Sequence, residues 1–144
     1  MKKIIVHIIT AAVCISLLAV CFAFNVSAAS ASLVFTNPTV ILGNKATVVV
    51  DVKGSDIGGY QMNMAYDTSY LTFDSFSGGA GYLSVTDNGG NLVISDMATT
   101  GSSSRISFTI VFKTKKTGTA SLTPSNYVFY DGSGDRISDV TSGK

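Results

Sequence analysis

The sequence predicts an all-β protein, a two-sheet jelly-roll sandwich of about eight to nine strands. Beyond residue 29, Glu is absent and Leu and Ala are scarce, whereas Val, Thr, Ser, Tyr, Phe and Ile dominate. Apolar residues alternate with polar ones and show no sustained period of 3.6. Turn signals recur about every 8–12 residues, a spacing that is typical of sandwiches and barrels.

The first 29 residues have the features of a secretory signal peptide. Lys2 and Lys3 precede an apolar run over residues 4–24, and small residues such as Ser27 and Ala29 follow it. A basic start, an apolar middle and a small-x-small cleavage pattern are the three parts of such a signal. We therefore predict cleavage after Ala29 and a secreted domain over residues 30–144.

Two alternatives remain open for this segment. An apolar run of about 20 residues can span a bilayer, so the segment could stay as an uncleaved anchor. The sequence from Leu18 to Cys21 loosely resembles a lipid-attachment box, although Val20 is bulky where a small residue is preferred. Membrane association is expected only if the segment is uncleaved or lipidated at Cys21.

Removal of the leader changes the chemistry of the chain. Cys14, Cys21 and the single histidine, His7, all leave with it. The predicted domain then has neither thiol nor disulfide. A domain of about 115 residues can build a stable core without disulfide cross-links. Without Lys2 and Lys3, eight of the ten basic residues remain against nine acidic ones, all of them Asp. This balance argues against a nucleic-acid partner.

The strands follow from the alternation, taken in chain order. The clearest apolar rows are Leu33 and Phe35; Ala46 to Val52; Tyr60 to Tyr66; Leu71, Phe73 and Phe76; Leu83 and Val85; the return strand Asn91 to Met97; Ile106 to Phe112; Ala120 and Leu122; and Tyr127 to Tyr130. Asp87-Asn88-Gly89-Gly90 is a strong hairpin signal because Asn-Gly tolerates positive φ. Each strand has one apolar face, so we expect two sheets packed face to face.

The predicted domain lacks the residues that most catalytic sites need. Without His and Cys, Ser-His-Asp and Cys-His catalysis are ruled out and zinc sites are disfavoured. We therefore expect a non-enzymatic protein without a cofactor. One weak calcium candidate is the segment Asp131, Ser133 and Asp135, which places oxygen ligands at alternate positions. A plain polar turn is the competing interpretation.

The segment from Gly58 to Leu71 carries a resemblance to a known family. An alternating strand ends there in Tyr66-Asp67, followed by a short turn and Leu71. This pattern resembles the signature of bacterial cohesin modules. The resemblance extends over nearly the whole predicted domain, through the segments 41–45, 89–98, 106–113 and 126–131.

The resemblance implies a nine-stranded jelly roll and a protein partner, the dockerin, which is a small calcium-loaded helical module of cellulosomal enzymes. The partner would lie on the flat outer face of one sheet, and polysaccharide would be reached through the assembly. Carried over by position, the contact residues are Gly59, Gln61, Asn63, Ala65, Ile94 and Asp96. A register slip of one residue would replace the last two by Val93, Ser95 and Met97.

The chain departs from the cohesin pattern at its end. Members of the family end with a further strand, a Gly followed by alternating valines, which pairs with the first strand. Here Ser142-Gly143-Lys144 stands where that strand should begin. Two interpretations stay open: either the sequence is a fragment that lacks its last strand, which would leave a sheet edge exposed, or the sheet closes differently.

Two other functions compete with protein binding. A carbohydrate-binding module of similar fold would display a planar row of Trp or Tyr, and this chain has six Tyr but no Trp. A structural or adhesive surface domain would assemble through an unpaired strand edge. Exposed, coplanar tyrosines would favour sugar, and a flat face of mixed polarity would favour the dockerin.

Overall fold

The computed structural model describes residues 29–143, in which every regular element is a β-strand. The predicted signal peptide therefore lies outside the described residues, apart from Ala29. The strands are β1 Ser30–Val34, β2 Thr39–Val40, β3 Lys45–Tyr66, β4 Leu71–Gly78, β5 Ser84–Asp87, β6 Asn91–Met97, β7 Ser103–Thr114, β8 Gly118–Thr119, β9 Leu122–Asp131, β10 Arg136–Ile137 and β11 Asp139–Gly143. No helix within these residues could span a membrane.

Strand β3 belongs to both layers of the sandwich. Its first half pairs with β7 and β1, and its second half pairs with β6 and β9. The pairing register with β7 shifts between Lys53 and Ile57, where the strand crosses from one layer to the other. The first sheet therefore has the order β4-β7-β3-β1-β11, and the second has the order β5-β6-β3-β9-β10. This arrangement confirms the predicted two-sheet sandwich.

The core lies between the two sheets and is built by the alternate residues of each strand. Ala46 to Val52 supplies every second residue from the first sheet, and Tyr60 to Tyr66 supplies every second residue from the other. Aromatic rings join the two layers, with Tyr60 stacked on Phe108 at 5.7 Å between ring centroids. Burial of each large apolar side chain stabilises the fold by about 1.5–3 kcal/mol.

The predicted hairpin is present between β5 and β6. Asn88 donates its backbone N–H to Asn91 at 3.0 Å, and Gly89 and Gly90 have φ values of 70° and 110°. The carboxylate of Asp87 accepts the backbone N–H groups of both glycines. A side chain at either glycine would be strained, because L-residues rarely adopt such φ values.

The end of the described chain matches the second interpretation, in which the sheet closes differently. Strand β11, Asp139–Gly143, pairs in parallel with β1 from Ser30 to Val34 and closes the first sheet. The strand has a single apolar side chain, Val140, which is half-buried. Its order comes from main-chain pairing with β1, so the alternation of apolar residues that identified the other strands is absent here.

Candidate functional site

The outer face of the second sheet contains most of the predicted contact residues. Residues paired across adjacent strands point to the same side of a sheet, so the pairing register defines this face. We name it the neutral face, and its outward residues are Ser84, Thr86, Asn91, Val93, Ser95, Met97, Gly59, Gln61, Asn63, Ala65, Thr123, Ser125, Val128, Tyr130 and Arg136.

The contact residues predicted on β3 lie together on the neutral face. Gln61 and Ala65 are exposed, Asn63 is half-buried and Gly59 is buried. Gln61 pairs with Ser95 of β6, and Asn63 pairs with Val93. The amides of Gln61 and Asn63 carry both donors and acceptors, so this row can hydrogen-bond a partner in both directions.

The contact residues predicted on β6 need a correction. Ile94 is completely buried and Asp96 is 5% exposed, because they pair with the core residues Met62 and Tyr60. The register of β6 against β3 differs by one residue from the register on which Ile94 and Asp96 were predicted to face outward. The alternative set, Val93, Ser95 and Met97, takes the outward positions of β6.

Asp96 has a structural role instead. Its carboxylate accepts the backbone N–H groups of Ala80, Tyr82 and Met97 at 2.5, 3.1 and 2.9 Å. A buried charge is tolerated where several donors replace the water it has lost. The carboxylate thereby fixes the segment between β4 and β5, which carries Tyr82. Asp96 therefore supports the loop beside the neutral face while its own side chain stays almost fully buried.

A depression of about 660 Å³ lies at one end of the neutral face. Gly58 and Gly59 form its floor, and its walls include Tyr82, Met97 and Tyr130. These three side chains are 68%, 62% and 39% exposed. Their proximity could not be predicted from the sequence, because they come from a loop and two different strands. The signal that could have found them was the Gly-Gly pair at the start of an otherwise well-patterned strand.

The neutral face carries almost no charge. Among the described residues that point outward from its five strands, Arg136 on the short β10 is the one charged side chain. Its neighbour on β9 is the exposed Tyr130. Polar contact on this face therefore depends on amides and hydroxyls.

The outer face of the first sheet is different, and we name it the ion-paired face. Asp74 bridges Lys45 and Lys113 at 2.7 and 3.1 Å, and Asp51 accepts two hydrogen bonds from Arg105. The hydrogen bonds from both lysines hold the pKa of Asp74 below its usual value. Partial burial would raise the pKa of Asp51, but the hydrogen bonds and charge of Arg105 outweigh it and lower that pKa.

The calcium candidate forms an ordinary turn. Asp131 Oδ1 accepts the backbone N–H groups of Ser133 and Asp135, both at 2.9 Å, and Gly134 donates to the carbonyl of Asp131. This geometry is what an Asp-initiated turn requires. Residues 29–143 contain no cluster of three or more acidic, His or Cys side chains suited to a metal ion.

Comparisons with known proteins agree with this architecture. No protein-family model and no curated protein matches the chain. Among solved structures, a non-cellulosomal cohesin from the archaeon Archaeoglobus fulgidus superposes with a TM-score of 0.66 at 15% identity, covering 81% of this chain and 87% of that one. A type II cohesin domain from the cellulosome of Acetivibrio cellulolyticus gives 0.64 at 20% identity, covering 81% and 92%.

A third structure contains a partner. The sixth cohesin of scaffoldin B from Acetivibrio cellulolyticus, in complex with a mutant Cel5 dockerin, gives a TM-score of 0.64 at 16% identity and covers 80% of this chain and 94% of that one. Sequence identities of this size establish architecture and leave function to the site itself. These superpositions show that the described domain has the cohesin fold.

Proposed function

We propose that this protein is a secreted, non-catalytic binding module whose neutral face binds a dockerin. The observation that carries the proposal is the neutral face itself, a sheet surface of mixed polarity within a cohesin fold. Structural relatives that are named as complexes with dockerins support the choice of partner. The predicted signal peptide supports the secreted location.

The composition of the face suits a protein interface. Its central row combines the amides of Gln61 and Asn63 with the small side chains of Ser95 and Ala65. Small residues keep the surface flat, and amides supply the roughly one hydrogen bond per 100–200 Å² that interfaces contain. The apolar residues at one end supply a region that can be fully desolvated, where binding energy concentrates.

The proposal is tested by calorimetric titration of the purified protein with a panel of calcium-loaded dockerins. We expect saturable binding to at least one of them. The double variant Gln61→Ala, Asn63→Ala should weaken that binding at least tenfold, because two bidirectional hydrogen-bonding groups are lost at the centre of the face. The matched control is Thr47→Ala on the ion-paired face, which should bind as the original protein does. A folded protein that binds none of the dockerins would overturn the proposal.

Carbohydrate binding is a second candidate because two tyrosines, Tyr82 and Tyr130, are exposed beside one depression. Tyr60 and Tyr66, in contrast, are buried in the core. Two exposed rings are few for a sugar platform, which stacks successive rings on aromatic faces. Retention on cellulose in a pull-down, together with no dockerin binding, would favour this second function.

A further inference from the structure

Strand β9 is irregular where it crosses the middle of the neutral face. Its pairing register with β3 shifts between Gln61 and Asn63. One residue of β3 lies there opposite two residues of β9, Asn126 and Tyr127, which is the geometry of a β-bulge. We name these two residues the β9 bulge. Bulges change the direction of the side chains they carry and are common beside functional sites.

The two residues of the β9 bulge have different surroundings. Tyr127 is half-buried, its ring lies 6.2 Å from that of Phe129, and its hydroxyl donates to Ser142 Oγ at 3.3 Å. Asn126 is exposed, and its amide takes part in none of the side-chain hydrogen bonds between described residues. Asn37 differs, because its amide oxygen accepts a backbone N–H at 2.9 Å. Packing within the sandwich therefore explains Tyr127 and gives the side chain of Asn126 no structural task.

The backbone of Asn126 makes the choice of side chain informative. Its φ angle is 51°, and it is the one residue other than glycine with positive φ in the described part of the chain. Glycine occupies the other nine positions with positive φ. Asn tolerates this conformation better than most residues, but glycine adopts it without a steric penalty. Where the conformation alone matters this sequence has glycine, so the asparagine points to a use for the amide.

The place of Asn126 in the sheet suggests that use. The residue before it, Ser125, pairs with Asn63, and Val128 pairs with Gln61. Adjacent strands lie about 4.8 Å apart, so one segment of a partner can span all three positions. We name Gln61, Asn63 and Asn126 the amide cluster. Each amide carries two donor hydrogens and an acceptor oxygen, so the cluster can bind donors and acceptors alike.

We infer that Asn126 contacts the dockerin through its side-chain amide, and that the β9 bulge is the device that presents this amide beside Gln61 and Asn63. The inference rests on the proposed function and adds a contact residue that the sequence did not indicate. Residues held in sparsely populated backbone conformations concentrate at binding sites, where the strain is part of the design. A hydrogen-bonding amide at this position would give the bulge a role in recognition.

The first experiment separates the amide from the backbone conformation by two substitutions. Asn126→Gly keeps the conformation and removes the amide, whereas Asn126→Ala removes the amide and also places a strained side chain at positive φ. In calorimetric titration with a dockerin that binds the original protein, both variants should lose about fivefold in affinity. In urea denaturation, the midpoint of Asn126→Gly should equal or exceed that of the original protein, and the midpoint of Asn126→Ala should be lower.

The matched control is Asn44→Gly, which removes another exposed amide, beside Lys45 at the start of β3. This variant should bind the dockerin as the original protein does. Normal binding by Asn126→Gly together with weak binding by Asn126→Ala would show that the shape of the bulge matters and the amide does not. That result, or normal binding by both variants, would overturn the inference.

The second experiment observes the amides directly, by NMR of ¹⁵N-labelled protein. The side-chain NH₂ signal of Asn126 is identified by its loss in Asn126→Gly. Addition of the unlabelled dockerin should shift this signal together with those of Gln61 and Asn63, and the signal of Asn44 should stay in place. Shifts of Gln61 and Asn63 without a shift of Asn126 would overturn the inference and leave the proposed function intact. Absence of binding to every dockerin would overturn the proposed function, and the inference with it.

Discussion

The two outer faces of this sandwich share one strand, β3, yet they present opposite chemistry. The first half of β3 points Lys45, Asp51 and Lys53 outward, and the second half points Gln61, Asn63 and Ala65 outward. On the ion-paired face, carboxylates are matched by cations of neighbouring strands. On the neutral face, amides, hydroxyls and a small apolar cluster have no such internal match.

This difference indicates which face is available for a partner. A partner that covered the ion-paired face would have to desolvate charges already satisfied within the molecule, at a cost that new contacts recover only with good geometry. Covering the neutral face costs less free energy, because uncharged groups are easier to desolvate. Removing water from the apolar side chains of Tyr82, Met97 and Tyr130 is itself favourable. The comparison therefore favours the neutral face for association and assigns a structural role to the other.

The largest expected effect on stability is at Asp96, and it contrasts with the effect at Asp51 on the other face. Asp96→Ala should reduce the free energy of unfolding by about 3 kcal/mol, because three buried backbone N–H groups lose their acceptor. Asp51→Ala should cost at most about 1 kcal/mol, as is usual for an ion pair near the surface. Urea denaturation measures both, and equal losses would contradict the structural role given to Asp96.

A smaller effect compares two buried tyrosines of the same row. Tyr66 donates its hydroxyl to Asp87 Oδ2 at 2.8 Å, so Tyr66→Phe should cost about 1 kcal/mol. The hydroxyl of Tyr60 is buried without a hydrogen-bond partner among the described residues, so Tyr60→Phe should change stability by less than about 0.5 kcal/mol. Thermal or urea unfolding of the pair tests the ranking, and a larger loss at Tyr60 would refute it.

The same two tyrosines should also ionise at higher pH than an unperturbed tyrosine. Burial, reinforced by the nearby charge of Asp96, raises the pKa of Tyr60 above its ordinary value. Burial and the hydrogen bond to Asp87 also raise the pKa of Tyr66. Both hydroxyls should therefore stay neutral to a higher pH than the hydroxyl of an unperturbed tyrosine does. Ultraviolet titration of the folded protein should show this delay, and its absence from the Tyr60→Phe, Tyr66→Phe double variant is the control.

The smallest effect is the acid sensitivity of the ion-paired face. The pKa values of Asp51 and Asp74 are lowered in the folded protein, so their ionised forms stabilise the fold above the unfolded pKa of about 3.9. That contribution should disappear as pH falls below about 4 and through the folded pKa values. In the double variant Asp51→Asn, Asp74→Asn, stability should depend less on pH between 2 and 5. An unchanged profile would show that these ion pairs contribute nothing.

The sequence was sufficient for most of the sandwich because its strands alternate cleanly. The row from Tyr60 to Tyr66 has apolar residues at one parity only, which placed Gln61 and Asn63 on the outside. Strand β6 is ambiguous, since Val93 and Met97 at one parity compete with Leu92 and Ile94 at the other. Burial of Asp96 decided the register, and it depends on three backbone donors that no periodicity reveals.

Other features depended on contacts between distant parts of the chain. Strand β11 is ordered by pairing with β1, which lies more than 100 residues earlier in the sequence. The depression on the neutral face brings together a loop residue, Tyr82, and two strand residues, Met97 and Tyr130, which strand pairing places on either side of Gly59. Local patterns carry no information about such juxtapositions, so the apolar end of the neutral face emerged only from the structure.

The most direct test of the neutral face as the binding surface is a pair of matched arginine variants. Ser95→Arg introduces a long, positively charged side chain at the centre of the neutral face, and Ser107→Arg introduces the same side chain on β7 of the ion-paired face. Both serines are exposed. Titration with a dockerin that binds the original protein should show a loss of at least a hundredfold in affinity for Ser95→Arg and less than a twofold change for Ser107→Arg. Equal binding by both variants, or a loss confined to Ser107→Arg, would contradict the assignment of the binding surface to the neutral face.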